Sequence, residues 1–208
     1  MTAPARANSQ RRAGRRNGRL LREDWLAGGM DMLGQGGPAA IRIDAMCARL
    51  GVTKGSFYWH FTDRKAFLGG LLEYWEYQAT QAIIERVDAA GGTPRERILS
   101  LLREGLSERF DFSAELAIRH WARNDRLAAA AVKRVDARRI NYLEGILDEL
   151  GLAPEAATTK AIFLYSLNLS QGAIVRREAK ARRRRRLHEF VDLIVVPSPA
   201  NAGADCDG

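Results

Sequence analysis

Cysteine is nearly absent from this 208-residue chain. Cys47 and Cys206 stand far apart, which excludes the disulfide framework of a small secreted domain and suits a reducing cytoplasm. Histidine is also scarce. His60, His120 and His188 are too widely spaced for a metal motif, and no glycine-rich phosphate loop or nucleophile elbow is present, so nothing in the pattern points to an enzyme, a metal or a cofactor. Long apolar runs are missing too. The most apolar stretch, 161–175, is interrupted by Ser166, Asn168, Ser170 and Gln171, which makes it too short to cross a bilayer and predicts a buried helix. The arginine-rich start is followed by Leu20-Leu21-Arg22-Glu23-Asp24 in place of an apolar core, so no signal peptide is expected and no membrane partner is implied.

Acidic residues are absent from 1–19, which holds six arginines and little that could be buried; this composition predicts a flexible basic arm. Across the whole chain, 33 Lys and Arg oppose 25 Asp and Glu, a net charge of +8 that favours a polyanionic partner. Two readings of the arm stay open: a minor-groove or phosphate contact beside a DNA-binding head, or a solvated tail.

The stretch 41–68 organises the rest. It reads as two short helices joined by a tight turn and followed by a long helix. Met46 and Leu50 face inward from the first, Phe57 and Phe61 from the second, across a corner where Gly51 suits a left-handed backbone. Thr53 stands where an N-cap belongs. The second helix then shows Thr53, Lys54, Gly55, Ser56, Tyr58, Trp59 and His60 to solvent. Lys54 and Ser56 suit base edges, Tyr58 and His60 suit phosphates, Gly55 allows close approach of the backbone, and Arg64 opens the long helix as another phosphate partner.

Upstream, Leu21, Trp25, Leu26, Met30, Met32 and Leu33 predict an amphipathic helix that braces the motif and ends at Gly34, Gly36, Gly37 and Pro38. Downstream, Asp63 can cap a helix running from Arg64 to about Ala90, roughly 40 Å of rod at 1.5 Å per residue. Further helices are predicted over 95–109, 113–124, 127–150, 155–177 and 180–196. Gly151 suits a helix stop and Pro154 a helix start. The helix over 155–177 is apolar all round and must be covered on nearly every side, one of which could be a second subunit. Arginines 182–186 open the last helix, as a solvated face or as a second DNA contact.

The expected architecture is all-α: a flexible basic arm over 1–19, a three-helix DNA-binding head with a helix-turn-helix over 20–62, a helical regulatory and dimerisation domain over 63–196 whose first part, 63–90, is a linking helix, and a disordered tail over 197–208. The run Gly51-Val52-Thr53-Lys54-Gly55-Ser56-Phe57-Tyr58-Trp59-His60-Phe61 resembles the signature of the TetR family of bacterial transcriptional regulators. The resemblance spans about 20–72; beyond it, only length and helical layout agree. It implies a homodimer whose C-terminal helical domain binds a small-molecule effector and whose heads read a palindromic DNA operator, most simply as a repressor. An activator or an effector-independent DNA-binding protein is the alternative. Arg42 stands where the family usually has a capping Thr or Ser that touches phosphate; arginine reaches phosphate but caps poorly. Candidate effector contacts are aromatic or polar side chains in apolar helices: Phe110, His120, Trp121, Tyr142, Phe163, Tyr165 and Asn168.

Deleting residues 1–16 is expected to weaken DNA binding chiefly at low salt. Binding measured across a salt series and left unchanged by the deletion would reduce the arm to a solvated tail.

Overall fold

The computed structural model describes residues 20–105, 107, 111–173 and 179–195. The basic arm, Phe110 and the C-terminal tail lie outside the described residues. All regular structure within them is helical, and they form two compact units: the chain up to Tyr77 together with Asp111–Lys133, and Gln78–Phe110 together with the chain from Arg134 onward.

In the first unit, α1 (Arg22–Ala40) begins with the Asp24 carboxylate accepting the Leu21 amide at 2.7 Å, which satisfies one of the helix's orphan N–H groups. The glycine cluster breaks it, though not at its first member. Regular geometry fails at Gly36 and at Gly37, where φ is +65°, and Pro38–Ala40 form a last separate turn. Next come α2 (Ile43–Leu50) and α3 (Lys54–His60), joined through Gly51 at φ +67°, the left-handed corner expected. Thr53 occupies the N-cap of α3, but its hydroxyl makes no capping hydrogen bond; only its backbone carbonyl does, to Ser56 N at 3.0 Å. Asp63 does cap α4 (Arg64–Glu76), accepting Ala66 N at 2.7 Å.

The head closes around one ring. Phe57 is fully buried, with ring centroids 5.4–5.6 Å from Trp25 of α1, Phe61, and Phe67 of α4. Phe61 and Phe67 meet edge to face at 4.8 Å. Helices α1 and α4 come so close that a Cβ on Gly29 would sit 2.7 Å from Phe67 and 2.8 Å from Leu71. A further helix, α7 (Phe112–Trp121), packs along α1. Its Glu115, completely buried, accepts Trp75 Nε1 of α4 at 3.0 Å and pairs with Arg119 at 2.8 Å. A buried carboxylate is tolerable only with such partners.

The helical backbone of α4 continues through a π turn, Tyr77–Gln81, into α5 (Ala82–Ala90). The expected rod is therefore present but carries one wide turn in its middle, and the boundary between the two units falls inside it. Gly91 and Gly92, both at positive φ, end α5. The second unit adds α6 (Pro94–Gly105), the later part of α8 (Arg126–Asp148), α9 (Pro154–Ala173) and α10 (Lys180–Val195). Ile98, Leu99, Leu102, Ile146, Leu147, Leu164 and Val191 form its core. Leu187 and Val191 anchor α10, as its spacing implied. By contrast α9 is not covered all round in the single chain: Ala157, Ala161 and Leu164 are buried, but Ile162 and Phe163 are 46% and 61% exposed.

Phe57→Ala is expected to cost about 3–5 kcal/mol, because the ring joins three helices. Denaturant unfolding followed by tryptophan fluorescence reports it; a loss under about 1 kcal/mol would show that the ring is not the head's keystone.

Candidate nucleic-acid interface

Burial of Phe57 and Phe61 fixes which face of α3 looks outward. Thr53, Lys54 and Gly55 are exposed, Ser56 is half-buried, and Tyr58 and Trp59 are 54% and 68% exposed. Two large aromatic rings are thus largely exposed on a seven-residue helix, and Tyr58 is held from beneath, edge-on to Phe57 at 5.4 Å. A Cβ on Gly55 would meet nothing nearer than the Thr53 hydroxyl at 3.7 Å, so the helix start is open to close approach by a flat or grooved partner.

The charged groups are arranged differently from the simplest expectation. Lys54 forms an ion pair with Asp44 of α2 at 2.5 Å, with both side chains well exposed. The hydrogen bond between them lowers the Asp44 carboxyl and raises the Lys54 ammonium from their ordinary values. In water such a pair is weak, and a phosphate or base edge can displace the carboxylate. Lys54 is thus held over the α2–α3 junction when no partner is present.

His60 and Arg64, expected to face phosphates, have partners inside the head. His60 Nε2 bonds the Leu20 carbonyl at 3.0 Å, which requires the proton on that nitrogen. Arg64 Nε donates to the Ile41 carbonyl at 2.6 Å, and a terminal nitrogen donates to the Pro38 carbonyl. Both side chains therefore position the entry to α1 and the turn before α2. Arg42 is exposed at the N-cap of α2 and makes no side-chain cap. Cys47 is buried, which pushes its thiol up and away from reactivity.

The second unit contains a cavity of about 50 Å³. Of the candidate effector residues, Tyr142, Tyr165 and Asn168 line it; Phe163 is on the uncovered face of α9, and His120 and Trp121 belong to α7 in the other unit. Arg139 and Thr80 also line the cavity. Sequence reasoning passed over both, because an arginine and a threonine on helices read as surface until tertiary contacts are known. Among the described residues no group of His, Cys, Asp and Glu could hold a metal ion, and no helix is long and apolar enough to cross a membrane.

A short helix with a polar, open start, aimed outward by a buried aromatic core and preceded by a glycine corner, defines a helix-turn-helix DNA-binding head. Residues 26–71, which span that head, match the model of the bacterial regulatory proteins of the tetR family. The fold extends the likeness over most of the chain. A transcriptional regulator from Rhodococcus sp. Rha1 superposes with a TM-score of 0.64 at 20% identity, covering 84% of this chain and 93% of that one. AibR, solved with isovaleryl coenzyme A and operator DNA, superposes at 0.63 with 13% identity, covering 85% and 99%. The superantigen PfiT does so at 0.61 with 16% identity, covering 86% and 97%. At these identities the likeness establishes the fold alone, and the presence of a superantigen on it makes the head motif the bearer of the DNA-binding assignment. No curated protein matches the sequence.

Asp44→Asn is expected to free Lys54 and raise affinity for duplex DNA, steepening the salt dependence by up to about one unit of slope. Fluorescence anisotropy over a salt series measures both; unchanged affinity and slope would mean that Lys54 does not reach the duplex.

Proposed function

We propose that the chain is a sequence-specific transcriptional repressor that binds a palindromic operator as a homodimer in the cytoplasm and is released by a small-molecule effector. The observation that carries this is the outward face of α3, open at Gly55 and fixed from beneath by Phe57. One seven-residue helix reads few base pairs, so useful specificity needs two heads on two half-sites, and a two-fold dimer supplies them.

The exposed Ile162 and Phe163 on α9, with Leu193 of α10 at 79% exposure, support pairing through a second copy of this chain. The cavity beside Tyr142, Tyr165 and Asn168 supports an effector site in the same unit. AibR, which shares the fold, holds both operator DNA and an acyl coenzyme A. A coupling of about 1–3 kcal/mol between effector and DNA would change operator affinity some 5- to 150-fold. No catalytic role is part of the proposal.

Selection from randomised duplex DNA by the purified protein is expected to yield a palindrome, with half-sites separated by whole helical turns. Enrichment of a single, asymmetric site, or of none, would contradict it. Phe163→Asp is expected to shift the protein to monomer in sedimentation and to weaken operator binding by roughly 10²- to 10⁴-fold through lost avidity; a variant that stays dimeric would move the interface elsewhere.

A further inference from the structure

The polar wall of the cavity is organised by Arg139 of α8. Its Nε donates to Thr80 Oγ1 at 3.0 Å, one terminal nitrogen to the Ala79 carbonyl at 3.0 Å, and the other to the Tyr165 hydroxyl at 3.2 Å. Tyr165 in turn donates to Asp136 at 2.5 Å. Ala79 and Thr80 both belong to the π turn, and Thr80 is only 2% exposed. A π turn carries one residue more than the α-helix around it, which displaces carbonyls from the regular ladder and leaves them for other donors. The guanidinium takes one such carbonyl and the neighbouring hydroxyl, and so latches the wide turn.

Elsewhere on the same cavity stands Asn168 of α9. Its Oδ1 is buried and has no hydrogen-bond partner among the described residues. It presses on Gly105, where a Cβ would fall 2.2 Å from that oxygen. A buried acceptor without a donor is destabilising and marks a place where a ligand's donor would be gained outright. The remaining wall is apolar, including Leu102, Leu143 and Leu164.

Size decides how such a ligand enters. The cavity of about 50 Å³ is far below the several hundred cubic ångströms typical of effector sites, so any organic occupant must displace part of the wall. Apolar helix packing yields at the cost of lost contacts. The arginine can exchange one set of acceptors for another, and a carboxylate offers it two charge-assisted bonds in place of a neutral carbonyl and a hydroxyl. We propose that the cavity takes a small organic acid bearing a hydrogen-bond donor, whose carboxylate draws Arg139 away from Thr80 and Ala79 and whose donor satisfies Asn168, and that loss of the latch frees the π turn. Relaxation of a π turn to α-helix shifts the phase between the segments on either side by one residue, about 100°; here those segments are α4 and α5. The inference rests on the effector-responsive function proposed above and adds the effector's chemistry and the element it acts on.

Calorimetric titration of the full-length protein with short-chain hydroxy acids, the matching unsubstituted acids and their primary amides tests it. Hydroxy acids are expected to bind most tightly and amides at least about tenfold more weakly than the acids. Arg139→Gln should erase the preference for acid over amide, and Asn168→Ala the preference for the hydroxylated acid. Should Arg139→Gln fail to fold, Thr80→Val, which removes one arm of the latch and keeps the guanidinium, should retain the preference for acid. Bound acid should also speed amide hydrogen exchange in a peptide spanning 77–85. Amides that bind as well as acids, no binding by any acid, or acid binding with exchange unaltered in that peptide would each overturn the inference. A protein that binds the acids yet selects no operator would contradict the regulatory function and leave this site standing; one that selects an operator yet takes no acid would do the reverse.

Discussion

Burial of the Phe57 ring is the constraint on which the DNA-binding head depends. The ring belongs to the recognition helix itself but spends its surface on Trp25 of α1, Phe61 and Phe67 of α4. A seven-residue helix cannot hold its own shape in water. Its orientation is therefore a tertiary property, and the direction in which Tyr58, Trp59 and the Lys54–Ser56 start face follows from where Phe57 is sunk. Gly51 at φ +67° and Gly29 beneath Phe67 are among the backbone concessions that let the helices of the head meet at that distance.

A second layer of polar contacts adjusts this framework. His60 and Arg64 tie the ends of α1 and the start of α2 to the recognition helix and to α4 through carbonyl oxygens. They fix the backbone on either side of the recognition helix. Glu115, enclosed between Trp75 and Arg119, couples α4 to α7 in the same manner. An interior carboxylate placed so far from solvent adds little net stability but penalises any alternative packing that would leave it without its partners.

Much of this was legible in the sequence. The all-α class, the helix-turn-helix, the inward Met46, Phe57 and Phe61, the Asp63 cap, the Gly51 corner and the Pro154 helix start all follow from periodicity and local backbone chemistry, which act over a few residues. What escaped depends on partners distant in the chain. The bond from His60 to Leu20 spans 40 positions, that from Arg64 to Ile41 spans 23, and that from Arg139 to Thr80 spans 59. No local pattern encodes them. The π turn escaped for another reason: one extra residue in a long apolar helix leaves the stripe nearly intact, so the stretch 64–90 reads as uninterrupted. The Thr53 hydroxyl illustrates the opposite error, a residue of the right type at the right position whose side chain is not used as a cap.

The proposed function requires α3 to read base edges from the major groove. Interference by methylation of guanine N7, which projects only into that groove, tests it most directly on a DNA site that the protein selects. Two clusters of interfering guanines, related by the two-fold axis of the site, are the expected result. Strong binding with no interference at any N7 position would contradict it, leaving backbone charge as the source of affinity and α3 as a surface with another use.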